Sequence, residues 1–310
     1  MPSMLRRASM KRSSLGVLVV VVAVIWQGVG TAVVGTSVDP TASLYVTFTA
    51  FGSAALISVA ARFLVRGPGT AARPPRMSRG DFWMLNLVTA GAFGTFYIAA
   101  TLVPPTAASV TEFSIAPLVV ALASRMRRRL VQPGVVLLIA ATMVVLILTG
   151  TARTPAAIVS GLGLATVAGA CAAGVLLTSS HLTRHGFRAR HIAANRFHLV
   201  WLVTGAMALP AVLRGNLQEP GHLALVGVLC IGLPILLLQW GITLCPPLPA
   251  ALLLTMVPAV VWFTESAMTG RWSSWLALTM AALVLAAITG TVSTSVSKGI
   301  RRGRRRQPAH

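Results

Sequence analysis

Residues 100–111 read ATLVPPTAASVT, and residues 242–253 read ITLCPPLPAALL. Thr101, Leu102, Pro104, Pro105 and Ala108 recur as Thr243, Leu244, Pro246, Pro247 and Ala250, all at a spacing of 142. After a one-residue slip, Pro117, Val119 and Val120 recur as Pro258, Val260 and Val261. Each copy sits in a half of the chain with five long apolar segments. Five is odd, so a chain that crosses a membrane five times and then repeats inverts its second copy. Inverted repeats with polar groups near the midplane are a transporter signature.

Composition makes the membrane reading firm. The 310 residues are 55% hydrophobic and only 10% charged, with a mean hydropathy of +0.81. Soluble proteins carry about 25% charged residues, so this chain cannot cover a water-facing surface. A helix needs about 20 apolar residues to cross the hydrocarbon. Segments of that kind are predicted at 14–36, 42–65, 82–103, 105–124, 132–150, 157–180, 192–213, 222–243, 247–269 and 272–296. The predicted fold is all-α and integral to the membrane: ten transmembrane helices as two inverted five-helix repeats, residues 14–150 and 151–296. A basic cytoplasmic N-terminus (1–13) and a basic, disordered cytoplasmic tail (297–310) flank them. The apolar run after Arg12 is too long for a signal-peptide core, so it counts as the first span.

The basic residues test this map. With the N-terminus inside, 23 of the 26 Lys and Arg fall on the cytoplasmic side, Arg196 among them, and only Arg153, Arg214 and Arg271 fall outside. That bias is the one expected of cytoplasmic loops, and it places the chain in the cytoplasmic membrane with both termini inside. The net charge of +21 therefore reads as topology and contact with anionic lipids. Nucleic-acid binding is not expected, because no aromatic residues interleave the basic runs.

Few residues offer chemistry. Of five acidic residues, Asp39 and Glu219 fall in loops and Asp81 at a helix start, where it fits a cap. Glu112 and Glu265 fall within segments 4 and 9, where a charge costs about 2.5–3.5 kcal/mol on insertion scales. Such residues face a cavity or a partner. Glu112 is the stronger candidate, to bind a cationic group or to exchange a proton as coupling ion. Tyr97 and Gln239 occupy the same repeat site. With Trp26, Gln27, Asn86, Trp240 and Trp262 they supply polar and aromatic groups for a substrate cavity. Pro117 and Pro258 interrupt hydrogen bonding inside their segments and are hinge candidates. Cys171, Cys230 and Cys245 read as small core residues. His181, His185 and His191 read as a solvated basic loop rather than a metal site. No cofactor is expected. No Walker motif is present, so ATP-driven transport is not expected. An intramembrane enzyme is a less favoured alternative, for want of a catalytic constellation or G-x-S-x-G stretch. A non-transporting structural or sensory membrane protein is another, which the repeat argues against.

The chain resembles the EamA-type members of the drug/metabolite transporter superfamily. The stretches carrying the resemblance are Ala100-Thr101-Leu102, Ala107-Ala108-Ser109 and Pro117, and again Ile242-Thr243-Leu244, Ala250-Ala251 and Pro258. Ile25-Trp26-Gln27-Gly28 is similar to the family's Trp-Gly stretch, and Arg196-Phe197 to its Arg-Phe position. The chain departs from the family at Arg127-Arg128-Arg129 and Gly270-Arg271, where Gly-Glu is common, and at Thr47, which stands for an Arg. The resemblance implies a permease for a small organic solute such as a metabolite, amino acid or drug, usually an efflux system. It implies a cavity lined by segments 1, 3, 4, 6, 8 and 9. A carrier of a lipid-linked sugar is the alternative within transport, and a homodimer is left open.

Overall fold

The computed structural model describes residues 2–38, 40–64, 77–124, 131–148 and 154–304. Within them, the side chains of 2–13, 40–41, 62–64, Tyr97, Thr101 and 293–304 fall outside the description. So do Asp39, the basic runs at 66–76 and 125–129, Arg153 and the side chains of the basic tail.

Helix is the regular structure throughout the described residues. In hydrocarbon a backbone must satisfy its own polar groups, and a helix does so within one segment. The first half comprises α1 (Pro2–Ser37), α2 (Pro40–Leu64), α3 (Arg79–Leu102), α4 (Pro105–Ala123) and α5 (Val131–Leu148). The second comprises α6 (Pro155–Arg184), α7 (Ala189–Ala193), α8 (His198–Leu213), α9 (Pro220–Gly227), a π-helical turn (Val228–Gly232), α10 (Leu233–Leu244), α11 (Pro247–Leu254), α12 (Val257–Thr269) and α13 (Ser274–Arg304). Ten stretches are long and apolar enough to span a membrane, including Ser14–Ser37, Pro105–Ala123 and Pro247–Thr269. The chain is a multi-pass membrane protein, and its ten stretches match the expected segments closely.

Proline and small polar caps mark the starts. Pro105, Pro155, Pro220 and Pro247 open their helices, where the missing N–H costs nothing. Ser78 caps α3: its hydroxyl accepts from the Asp81 backbone N–H at 3.0 Å and donates to the Asp81 carboxylate at 2.7 Å. Gly270, at φ 70°, closes α12 in the left-handed conformation.

Three interruptions depart from the expected straight segments, all in the second half. Segment 7 is broken by turns at Ala194–Phe197, between α7 and α8. Segment 8 contains the π-helical turn. Pro234 lacks the N–H that would bond Cys230, and Gly30 of α1 lies against the carbonyl so freed. Segment 9 breaks at Thr255–Met256, before Pro258. The basic tail differs too: α13 runs on as helix to Arg304 instead of ending in a disordered segment.

The packing interleaves the halves. α1 lies on the π-helical turn, α10, α11 and α12, while α6 lies on α3 and α4. α2 meets α8, α5 meets α13, and α4 meets α11 and α12. Glycines make several of these approaches close. A Cβ at Gly16 would lie 2.8 Å from Leu244, and one at Gly161 would lie 2.7 Å from Val103 and 3.1 Å from Leu102. A Cβ at Gly30 would lie 2.1 Å from the Cys230 carbonyl oxygen, and one at Gly174 would lie 2.9 Å from Val88. Leu102 and Leu244, like Val88 and Cys230, stand 142 residues apart, the spacing of the Pro-Pro stretches.

The α2–α8 contact is reciprocal. The Phe48 ring covers Gly205 and the Trp201 indole covers Gly52, with the space above each glycine filled within 2.8 Å. Phe48 and Trp201 stack at 5.7 Å between centroids, 14° from parallel.

A methyl group at Gly30 meets backbone, which cannot rotate away. Gly30→Ala is expected to destabilise the purified full-length protein by about 1–3 kcal/mol, the usual range for overpacking. Gly35 has open space around it, so Gly35→Ala serves as the control. Equal thermal unfolding of the two variants would contradict this account of the α1 contact.

Candidate functional site

The break between α7 and α8 brings four buried polar side chains together: Asn86, Thr89, Arg196 and Gln239. Turns at residues 194–196 leave backbone groups without helical partners, and Asn86 of α3 supplies two of them. Its Nδ2 donates to the Asn195 carbonyl at 2.7 Å, and its Oδ1 accepts from the Leu199 N–H at 3.2 Å. Asn86 also donates to the Phe82 carbonyl of its own helix at 3.0 Å. It is 1% exposed. It is thus a clip between α3 and the start of α8.

The clip fixes Arg196. Its Nε donates to the Thr89 hydroxyl of α3 at 3.1 Å, and its Nη1 donates to the Gln239 Oε1 of α10. The guanidinium carbon lies 5.1 Å from the centroid of the Phe197 ring. Phe197 in turn packs on Phe51 of α2, 5.9 Å between centroids. Arg196 is 5% exposed, Gln239 1% and Thr89 0%. No acidic group pairs with Arg196 among the described residues. The buried Nε2 of Gln239 has no acceptor there either.

Arg196 corrects the charge map. It counts among the cytoplasmic surface cations in the sequence, yet it lies inside the bundle, bonded to two other helices. It stands six residues after Arg190, at the end of a basic run. The signal that separates it is local: Asn195-Arg196-Phe197 sits inside an apolar segment, and a charge there needs a partner.

The remaining candidates occupy other places. Glu112 is buried on α4, where Gly169 of α6 presses on its carbonyl; a Cβ at Gly169 would lie 2.4 Å from it. The Glu112 carboxyl makes no hydrogen bond among the described residues. Glu265 of α12 accepts a long hydrogen bond from Thr106 of α4 at 3.4 Å. It lines a cavity of about 310 Å³ with Trp262, Thr269, Arg271 and Trp272. Trp262 and Trp272 meet edge to face at 5.7 Å.

The Oε1 of Gln27 is buried without a partner among the described residues. Trp26 and Trp240 are exposed, at 39% and 46%. The side chain of Tyr97 lies outside the described residues. Pro117 sits inside an uninterrupted α4, whereas Pro258 sits at the start of α12 just past the break. The two hinge candidates therefore differ in local structure. None of the three cysteines forms a disulfide. No cluster of His, Cys, Asp and Glu able to hold a metal ion occurs among the described residues.

No family model and no curated protein matches the chain. A solved structure described only as "Crystal structure of protein" is similar in fold, with a TM-score of 0.63 and 19% identity. The match covers 90% of this chain and 98% of that one. At that identity the likeness is one of fold alone.

Replacing Asn86 by Leu strands the Asn195 carbonyl and the Leu199 N–H. The expected loss is about 1–3 kcal/mol, the cost of unsatisfied buried polar groups, read from thermal unfolding of the full-length protein. A variant as stable as wild type would mean that the break holds without its clip.

Proposed function

We propose that the chain is a secondary transporter of a small organic solute, working by alternating access of two inverted five-helix repeats in the cytoplasmic membrane. The observation that carries the reading is the α2–α8 contact. Phe48 precedes Gly52 in one helix, and Trp201 precedes Gly205 in the other. Phe48 covers Gly205 while Trp201 covers Gly52, so the two helices run antiparallel and exchange roles. A two-fold axis that swaps antiparallel spans lies in the membrane plane, which is the relation of inverted repeats.

Other contacts support the same relation. Gly16 on Leu244 matches Gly161 on Leu102, and Gly30 on Cys230 matches Gly174 on Val88. α1 lies on the helices equivalent to those under α6. The basic bias still favours both termini inside after Arg196 is withdrawn from it. The EamA-type resemblance adds the solute class of metabolite, amino acid or drug, and the direction of efflux.

A second reading, a carrier of a lipid-linked sugar, draws on one feature. Between α2 and α8 runs an apolar groove of about 430 Å³, lined by Phe48, Gly52, Leu56, His198 and Trp201. An acyl or prenyl chain fits its chemistry.

The test is an untargeted comparison of solutes and lipid-linked sugars in cells with and without the chain. A soluble metabolite is expected to accumulate in the cells lacking it, and to cross proteoliposomes containing the pure protein without ATP. A change confined to lipid-linked sugars favours the second reading. No change in any compartment, with no flux in proteoliposomes, removes both.

Glu112 is the proposed proton site. Glu112→Gln keeps the shape and removes the titrating group, so solute flux is expected to lose its dependence on pH. An unchanged pH profile in proteoliposomes would take Glu112 out of the coupling.

A further inference from the structure

The Arg196 cluster is short of acceptors. Its guanidinium is buried, it carries one positive charge, and no carboxylate pairs with it among the described residues. Gln239 is oriented by the bond its Oε1 accepts from Arg196 Nη1. That bond leaves the amide Nε2 as a buried donor with nothing to donate to among the described residues. The unused amide N–H of Gln239 on α10 therefore stands beside the Arg196 guanidinium of the 194–197 turn, which has no anionic partner among the described residues. A purely structural cross-link would end with its donors satisfied, since buried polar groups without partners are rare and costly.

We propose that Arg196 and Gln239 form a binding site for a carboxylate, the anionic group of the transported solute. This rests on the transporter reading for the word "transported" and on the cluster alone for the site. A carboxylate is acceptor-only and planar, which suits the edge of a guanidinium and an adjacent amide N–H. Its single negative charge balances the single cation, whereas a phosphate dianion would leave an excess charge in the bilayer. Thr89 holds Nε, and the ring of Phe197 lies against the guanidinium. The Nη edge is what remains for a ligand. Asn86 acts as a positioning residue, through the backbone of residues 195–199.

The test uses the full-length protein in nanodiscs and reads binding directly, without transport. The probes are acetate, benzoate, alanine and phenylalanine, each beside its primary amide, with inorganic phosphate as a further arm. At least one carboxylate is expected to raise the unfolding temperature saturably, and its amide is not. Arg196→Lys keeps the charge and loses the fork, and is expected to weaken that binding about tenfold or more, the scale of a hydrogen bond to a charged group. Gln239→Leu removes the unused donor and is expected to weaken it by a similar factor.

Gln239→Glu supplies the missing anion from the protein itself. It is expected to fold at least as stably as wild type and to lose carboxylate binding. That variant separates a filled site from a damaged fold. The proposal is overturned if amides bind as well as acids, if only phosphate binds, if nothing binds, or if Gln239→Glu binds carboxylates as wild type does. Loss of binding with solute flux retained leaves the transporter reading intact. Binding without flux of any solute removes that reading and leaves the site.

Discussion

Helices in a bilayer gain little from hiding apolar surface, because lipid is as apolar as they are. They associate by close fit, and here the fit depends on glycines that let one backbone reach another. Gly30 against the Cys230 carbonyl, and Gly169 against the carbonyl of Glu112, leave no room for a methyl group. These contacts tie α1 to helices of the second half and α6 to helices of the first. The sequence halves are thus not the packing units. Each half lends its first helix to the other, so neither half is a free body.

The interleaving bears on where irregular backbone is tolerated. Broken helices persist at membrane depth only where neighbours satisfy the freed groups. The break at 194–197 has Asn86. The π-helical turn has Gly30 alongside its freed carbonyl. The break at 255–256 is bridged by its own residues: the Thr255 hydroxyl donates to the Leu252 carbonyl at 2.7 Å, and the Met256 N–H bonds Leu253. All three lie in the second half. Pro117 and Pro258 occupy corresponding places in the repeated stretch, yet α4 stays continuous and segment 9 does not. Proline alone therefore does not decide the break.

Segment boundaries were legible because length and apolarity are properties of a stretch, and because proline at a helix start has a local cause. Gln239 and Asn86 were legible as polar residues in apolar surroundings. Their partners were not. Whether Arg196 belongs to a surface run or to the interior depends on Asn86 and Thr89, more than a hundred residues earlier, and on Gln239, 43 residues later. No spacing rule carries that information. Glu112 shows the same limit: its depth follows from position, but its neighbours on α6 follow from how that helix crosses.

The Arg196 cluster also joins groups of helices that the proposed alternating-access cycle would move apart. Thr89 lies on α3, which packs with α6 and α4. Gln239 lies on α10, which packs with α1. Arg196 itself stands at the head of α8, which packs on α2. Its two hydrogen bonds reach into both of the interleaved groups. A rocking of one group against the other cannot keep both bonds at their present lengths. A carboxylate accepting from Arg196 and Gln239 together would hold α8 and α10 as a pair and leave the Thr89 bond as the one to change. Under that proposal, occupancy of the site and the relative position of the two groups would be linked through one guanidinium, because Thr89 and Gln239 lie on two different helices and Arg196 in the turn before a third.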